Sequence, residues 1–189
     1  VQFKEIQWEN KYTDVNSGVI DCIWNGFTCN SKDDDGIARS EKVDFSYNYM
    51  ENRQVIVVKA DSAIATADDL SAMTVVAEAG SAGEKQATEN GFNYTPVKDQ
   101  ATALTEVASG TSDAAIIDSL MAAAMVGEGT GYENLTYTVP LNSEEYGVGF
   151  RKGSDLTEKL NQFFKDSYAD GTMLEIAEKY GVQASLIEQ

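Results

Sequence analysis

The sequence contains no histidine, which excludes the catalytic triads and zinc sites that depend on an imidazole ring. Cysteine is almost as scarce: Cys22 and Cys29 are too few for a scaffold held by several disulfides or for a site of four thiolates. Two interpretations of this pair stay open, a disulfide favoured by an extracellular setting or two buried thiols that pack as small hydrophobic groups. Without imidazole chemistry, a binding protein is favoured over an enzyme.

Basic residues are also few. The chain has 14 lysines and arginines against 31 acidic residues, a formal charge of -17, which repels nucleic-acid phosphates and anionic membrane surfaces as partners. No stretch of the sequence approaches the roughly 20 apolar residues of a membrane-spanning helix. With 189 residues, there is room for one large core or two small lobes, and we expect a folded globular protein.

The opening part of the chain contains several short patterns. Apolar and polar residues alternate over residues 1–6, which predicts a strand, and the stretch 10–17 predicts a helix that ends at Gly18. Residues 19–24 are mostly apolar and predict a short buried strand. Residues 31–36 contain three aspartates, but the terminal glutamate of a calcium-binding loop is absent, so a solvated acidic turn is favoured over a calcium site.

The middle of the chain alternates between strands and helices. Strands are predicted at 74–77, 94–97, 113–117 and 135–139, and helices at 82–90, 101–109 and 119–126. This alternation is typical of parallel βαβ units, whose binding groups lie at the carboxyl ends of the strands. Strands at 54–59 and 146–152 flank the region, and helices at 155–168 and 173–180 close the chain.

The predicted fold is α/β with two lobes. A continuous lobe 2, residues 59–147, is inserted into a discontinuous lobe 1, residues 1–58 and 148–189. Strands near 55–60 and 146–152 are expected to connect the lobes as a hinge. Ligands favour interdomain clefts, and hinge closure around a ligand is a known switching mode.

The turn at residues 80–84, Gly-Ser-Ala-Gly-Glu, lies between a predicted strand and a predicted helix. A helix N-terminus offers unpaired N–H groups and a positive dipole end, which suit a carboxylate or a phosphate. The alternative is local, because Ser81 and Glu84 have the spacing of a capping box. The turn lacks the lysine and the spacing of a Walker loop, which disfavours a nucleotide.

Four further side chains are candidates for ligand contacts. Asp118 follows an apolar strand and could bind an ammonium group or cap the next helix. Arg39 could bind a carboxylate through two parallel hydrogen bonds, or it could be solvated like most arginines. Trp8 and Trp24 could stack on a ligand or fill the core. The glycine-containing turn after Trp24 is expected to form one wall of a site for a small anion or zwitterion.

The order and spacing of several segments resemble the amino-acid-binding proteins of ABC importers, a family of periplasmic or lipid-anchored receptors with a two-lobed flytrap fold. The resemblance covers essentially the whole chain. It rests on residues 17–21, 26–28, Arg39 with 42–46, 80–81, 113–114 with Asp118, 146–150 and 170–172. It implies a transport receptor for an amino acid that is not an enzyme and uses no cofactor or metal.

The resemblance also implies a set of ligand-binding residues: Trp8, Gly26, Thr28, Arg39, Gly80, Ser81, Ala82 and Asp118. In the family pattern, Arg39 and the N–H groups of the 80–82 turn take the α-carboxylate. Asp118 takes the ammonium group, together with the Gly26 carbonyl and the amide and hydroxyl of Thr28. The tryptophan in this set stands where the family places a stacking aromatic ring.

Two departures from the family pattern change the expectations. Residues 30–38 form a longer acidic loop in place of the family's Thr-Pro-Glu-Arg segment, so Arg39 is assigned from its distance to Phe45 along the chain. The family's opening strand and helix do not occur in this sequence, so lobe 1 is expected to be incomplete. Either self-association through lobe 1 or a longer parent protein would cover the apolar surface left open.

The implied partners are an amino acid and the permease of an ABC transporter. The implied location is extracellular or periplasmic, with the signal peptide removed and with lipid anchoring at the membrane surface in the full-length form. The alternatives on the same fold are a ligand-binding sensor domain and a dehydratase-like enzyme, in which Asp or Glu would have to serve as the general acid.

Overall fold

The computed structural model describes residues 1–33 and 35–189, with the backbone alone at Thr138 and Val139. Asp34, one of the three aspartates of the acidic loop, lies outside the described residues. The chain divides into two compact units, which we call unit 1 (residues 1–6, 10–52 and 144–189) and unit 2 (residues 7–9 and 53–143). Residues 53–58, which the sequence places in lobe 1, thus belong to unit 2.

The described chain is mixed α/β, as predicted. The strands are β1 (Cys22–Ile23), β2 (Asp44–Phe45), β3 (Met50–Asn52), β4 (Gln54–Lys59), β5 (Val75–Glu78), β6 (Tyr94–Val97), β7 (Ala114–Asp118), β8 (Leu135–Pro140), β9 (Glu144–Tyr146) and β10 (Gly149–Phe150). The α-helices are α1 (Lys11–Ser17), α2 (Arg39–Lys42), α3 (Ala82–Glu89), α4 (Gln100–Ser109), α5 (Ser119–Met125), α6 (Leu156–Ala169) and α7 (Thr172–Lys179). Short 3-10 helices occupy Trp8–Asn10, Ala67–Ala72 and Gln183–Ser185.

Unit 1 contains two small antiparallel sheets, one with the strand order β1-β10-β2 and one that pairs β3 with β9. Helix α1 ends at Gly18 as predicted, because the left-handed φ of 81° at this position suits glycine. Val148, Phe150 and Phe164 form a buried cluster, and side chains of α6 pack against it. Aromatic packing therefore stabilises a unit whose strands have only two or three residues.

Three strand predictions for unit 1 are wrong. Residues 1–6 have no regular secondary structure, and Phe3 is fully exposed. An alternating pattern forms a strand only where the backbone of a neighbouring strand pairs with it. The stretch 19–24 contributes only the two residues of β1. The stretch 146–152 is divided between β9 and β10, since Gly147 and Val148 interrupt it.

The two cysteines are free thiols, so the disulfide interpretation is wrong. Both are partly buried, and burial raises the pKa of each thiol, that of Cys29 to about 11. The Cys29 Sγ also donates to the Asn48 side chain at 3.0 Å. Such thiols stay protonated at neutral pH and pack as small groups.

Large apolar side chains are exposed on unit 1. Besides Phe3, they include Trp24, Phe163, Leu174, Ile176 and Tyr180. Self-association through unit 1 stays a prediction. None of the helices in the described ranges has the length and apolar character needed to cross a bilayer.

Unit 2 is built on a five-stranded sheet with the order β6-β5-β7-β4-β8. Strand β5 pairs in parallel with β6 and β7, as the βαβ pattern predicts, whereas β4 runs antiparallel to both of its neighbours. Along β4, Val55 and Val57 face a core covered by α4 and α5, while Ile56 and Val58 face a second core covered by α3. Burial of both faces explains its nearly continuous apolar sequence.

The reversal of β4 decides what lies at one edge of this sheet. Because β4 is antiparallel to β7, its first residue, Gln54, pairs in register with Asp118, the last residue of β7. The carboxyl ends of β5, β6 and β7 therefore meet the beginning of β4. We call this the C-terminal edge of the unit 2 sheet, and it carries the turn into α3, the start of α4 and the start of α5.

Candidate functional site

The turn into α3 has the predicted capping bonds with one change. The Ser81 Oγ accepts a hydrogen bond from the Glu84 N–H at 3.1 Å. The Glu84 carboxylate reaches back to the N–H of Gly80 at 2.6 Å, one residue before the position a capping box uses. The Ser81 N–H donates to the Glu78 carbonyl. None of these bonds uses the N–H of Ala82, the first residue of α3. This N–H group and the positive end of the helix dipole suit the binding of an anion.

Gly83 allows this helix to approach the sheet closely. A β-carbon added at Gly83 would lie 2.9 Å from the Gln54 Oε1 and 2.9 Å from the Ile116 carbonyl oxygen. Both contacts are shorter than van der Waals packing allows, and one of them involves backbone. The first turn of α3 can therefore pack directly against β4 and β7 because residue 83 is a glycine and has no side chain.

Replacing Gly83 by alanine is expected to destabilise unit 2 by about 1–3 kcal/mol, because overpacking against backbone outweighs the higher helix propensity of alanine, about 1 kcal/mol. Chemical denaturation measures the change in the free energy of unfolding. Gly131→Ala is the matched control, because a β-carbon there meets nothing within 4 Å. Equal stability of the two variants would contradict the close approach of α3.

Asp118 is buried at the C-terminal edge, and two glutamine amides hold its carboxylate. The Gln54 Nε2 donates to Oδ1 at 2.7 Å, and the Gln100 Nε2 donates to Oδ2. The Gln100 Oε1 in turn accepts the Asp118 N–H at 3.1 Å. Although Asp118 occupies the N-cap position of α5, its side chain makes no cap hydrogen bond. The capping interpretation is therefore wrong for the carboxylate.

The C-terminal edge of the unit 2 sheet carries one group that suits a positive charge, the Asp118 carboxylate, and one that suits a negative charge, the N-terminus of α3. Amide donors are uncharged, so the bonds from Gln54 and Gln100 orient the Asp118 carboxylate without cancelling its charge. The same Gln54 side chain borders Gly83 through its Oε1. The Gln54 side chain therefore donates to the Asp118 carboxylate and lies beside the first turn of α3, both within unit 2.

Sequence reasoning missed both glutamines. Gln54 is the first residue of a strongly apolar strand, and Gln100 is the first residue of α4. A polar residue where an element starts is a weak signal, and only the direction of β4 places Gln54 beside Asp118.

Gly26 and Thr28 lie in a tight turn of unit 1. Asn25 and Gly26 both adopt left-handed backbone conformations, with φ of 84° and 71°. The Thr28 hydroxyl donates to the Glu144 carboxylate at 2.6 Å, and Asn52 donates to the same oxygen at 3.0 Å. Glu144 is buried and was not predicted as a site residue. Neither bond uses the Thr28 N–H, whose expected role on a ligand stays a prediction.

Arg39 is the first residue of α2 and is only 1% exposed, so the solvated interpretation is wrong. Its Nε donates to Asp33 Oδ1 at 3.0 Å, and its Nη1 donates to the Thr28 carbonyl at 3.2 Å. Its guanidinium also lies over the Phe27 ring, 5.3 Å from the centroid. Arg39 thus binds a carboxylate of its own unit, and its role on a ligand carboxylate stays a prediction.

Asp33 is the centre of this charged cluster. Its Oδ2 accepts from the Tyr12 hydroxyl at 2.6 Å and from the Lys42 Nζ at 2.8 Å. Burial raises the pKa of Asp33, but the hydrogen bonds from Lys42 and Tyr12 and the charge of Arg39 outweigh it and leave this pKa below its usual value. Burial and the bond to Asp33 raise the pKa of Tyr12. The acidic loop is therefore anchored to α1 and α2 rather than solvated throughout.

Seven of the eight predicted site residues fall into two groups. Gly80, Ser81, Ala82 and Asp118 come together at the C-terminal edge of the unit 2 sheet. Gly26, Thr28 and Arg39 lie together in unit 1, joined by the bond from Arg39 to the Thr28 carbonyl. Trp8 is partly exposed and belongs to the short segment assigned to unit 2. Trp24, half exposed, packs edge-on against Tyr49 and Phe164 of unit 1.

Over residues 1–33 and 35–189, no three or more Cys, Asp or Glu side chains are grouped so that they could hold a metal ion.

Comparison with known proteins shows that the chain is similar to bacterial solute-binding proteins. The family model of the bacterial extracellular solute-binding proteins, family 3, matches residues 1–183. The arginine-binding extracellular protein ArtP of Bacillus subtilis is 27% identical over 187 residues, which are 95% of this chain and 70% of the relative. The ABC transporter glutamine-binding protein GlnH of the same species is 30% identical over 183 residues, 95% of this chain and 64% of the relative.

A solved structure of a substrate-binding protein is also similar to this chain. The substrate-binding protein of an ABC uptake transporter from Streptococcus pneumoniae, crystallised with bound histidine, is 32% identical to this chain. The alignment covers 95% of this chain and 75% of that one, with a TM-score of 0.81. This chain thus spans 70% and 64% of the length of the two Bacillus relatives.

Proposed function

This chain belongs to family 3 of the bacterial extracellular solute-binding proteins, and we propose that it captures a free amino acid and delivers it to the permease of an ABC transporter. The proposal is carried by one observation, the arrangement at the C-terminal edge of the unit 2 sheet. Two uncharged amides hold the Asp118 carboxylate there, and one of them, that of Gln54, lies beside the first turn of α3. These groups complement the ammonium and the carboxylate of an α-amino acid.

The proposed ligand class is the L-α-amino acids. Relatives are named for binding arginine and glutamine, and one solved relative holds histidine. These ligands differ in side-chain charge and share only the α-ammonium and the α-carboxylate. We assign the ammonium to Asp118 and the carboxylate to the Ala82 N–H at the positive end of the α3 dipole, because the N–H groups of Gly80 and Ser81 already donate within the turn.

The proposed setting follows from the same family. The permease of an ABC transporter is the proposed partner, and the extracellular side of the membrane is the proposed location. Attachment through a lipid is proposed on the resemblance alone. No catalytic residue is assigned, because the edge presents a fixed carboxylate and backbone donors, which suit binding.

A thermal-shift screen against the proteinogenic L-amino acids, followed by calorimetric titration, tests the proposal. At a free concentration about 100 times its Kd, a ligand stabilises the folded chain by about 2.7 kcal/mol, which corresponds to a rise in Tm of roughly 5–10 °C. At the same concentration, the matched amine without a carboxylate and the matched acid without an ammonium should give smaller shifts. The proposal fails if no amino acid raises the Tm.

A further inference from the structure

We infer that Gln100 is a positioning residue that fixes the Asp118 carboxylate for the α-ammonium group of the amino acid, an inference that rests on the proposed function. Gln100 does not itself receive the ligand in this assignment. It acts through Asp118, with Gln54 as the second donor to the same carboxylate.

The bonds between Gln100 and Asp118 are reciprocal. The Gln100 Nε2 donates to the Asp118 carboxylate, and the Gln100 Oε1 accepts the Asp118 backbone N–H at 3.1 Å. One side chain therefore contacts both the backbone and the carboxylate of the same residue. A rotation of the Asp118 side chain away from this orientation breaks the bond to Nε2, and it also breaks the bond from Gln54 to Oδ1.

The start of α4 is well placed to hold Gln100. The preceding residue, Asp99, caps the helix, and its carboxylate accepts the N–H and the hydroxyl of Thr102, each at 2.7 Å. One turn further on, Ala103 and Leu104 are fully buried in the core shared with Ile117 of β7. The helix that carries Gln100 and the strand that carries Asp118 are thus packed against one core, which limits their relative movement.

The chemistry of the two donors suits a site for a cation. A lysine or an arginine in place of either glutamine would orient the carboxylate equally well, but it would also neutralise the charge that attracts the ammonium group. The two glutamine amides orient the carboxylate and do not neutralise it, because they are uncharged donors. Preorganised donors of this kind reduce the ordering cost of binding.

The test measures Kd by calorimetry for L-arginine, L-glutamine and L-histidine in the unmodified chain and in Gln100→Leu. Loss of a hydrogen bond to a charged group predicts a weakening of about tenfold or more for each amino acid that binds. In an Asp118→Asn background, Gln100→Leu should then change the Kd by less than about twofold, because Gln100 acts through that carboxylate. A purely structural role would give the full loss in both backgrounds and would overturn the inference.

The matched control is Gln162→Leu. Gln162 donates to Asp166 at 2.8 Å on the exposed face of α6, so the control removes a glutamine bond to an aspartate outside the edge. It should leave every Kd unchanged. Gln100→Asn, which keeps the amide but shortens the side chain, serves as a second variant if Gln100→Leu does not fold, and the same loss is expected. Binding that is unaffected by both Gln100 variants overturns the inference alone, whereas an unmodified chain that binds no amino acid overturns the proposed function and the inference with it.

Discussion

Asp118→Asn should weaken amino-acid binding by about 30-fold or more. Removing one partner of a hydrogen-bonded charge pair costs about 2–5 kcal/mol, and each 1.4 kcal/mol is about tenfold in Kd. The substitution also places an amide NH₂ where one of the glutamine donors needs an acceptor, so it removes both the charge and part of the positioning. Calorimetric titration with the amino acid that gives the largest thermal shift measures the loss.

Asp113→Asn is the matched control for this experiment. Asp113 lies just before β7, and its carboxylate accepts the N–H and the hydroxyl of Thr74 at 2.8 and 2.7 Å. The control therefore changes the net charge of unit 2 by the same amount and also removes a hydrogen-bonded carboxylate, but at the opposite end of the strand. If both variants lose affinity equally, a general electrostatic effect accounts for the loss and Asp118 is not the partner of the ammonium group.

The strands and helices of unit 2 could be predicted because its patterns are long. Strand β4 has the predicted bounds, since a run of branched apolar residues buried on both faces is hard to mistake. Its direction could not be predicted, because side-chain patterns are the same in parallel and antiparallel strands. That direction brings Gln54 to the carboxyl end of β7. The position of Asp118 could therefore be predicted and its two amide partners could not.

The strands of unit 1 and the partner of Arg39 could not be predicted, for two physical reasons. Strands of two or three residues are too short to show a period, so β1 and β10 could not be separated from the loops around them. The partner of Arg39 depends on how the acidic loop folds back, and Asp33 lies only six residues away. The sequence indicates a carboxylate-binding arginine, and the structure shows which carboxylate it contacts.

Asp33→Ala should lower the free energy of unfolding by about 3–5 kcal/mol, a typical cost of removing one partner from a buried ion pair. The variant leaves the guanidinium of Arg39 buried without this carboxylate, and it also removes the acceptor for Tyr12 and one acceptor for Lys42. Chemical denaturation at pH 7 measures the loss. Asp35→Ala is the matched control in the same loop, because Asp35 is exposed and pairs with Lys42 at 2.7 Å, and surface pairs contribute little.

The pH dependence distinguishes lost charge pairing from lost packing. The pKa of Asp33 is lowered in the folded chain, so its contribution is fully present above its unfolded pKa, about 3.9, and is lost as the pH falls through the lower folded value. The stability difference between the unmodified chain and Asp33→Ala should therefore be constant from pH 7 to about pH 5 and should shrink in more acidic solution. A difference that does not change with pH, or one no larger than that of Asp35→Ala, would show that Asp33 only fills space and that Arg39 does not depend on its carboxylate.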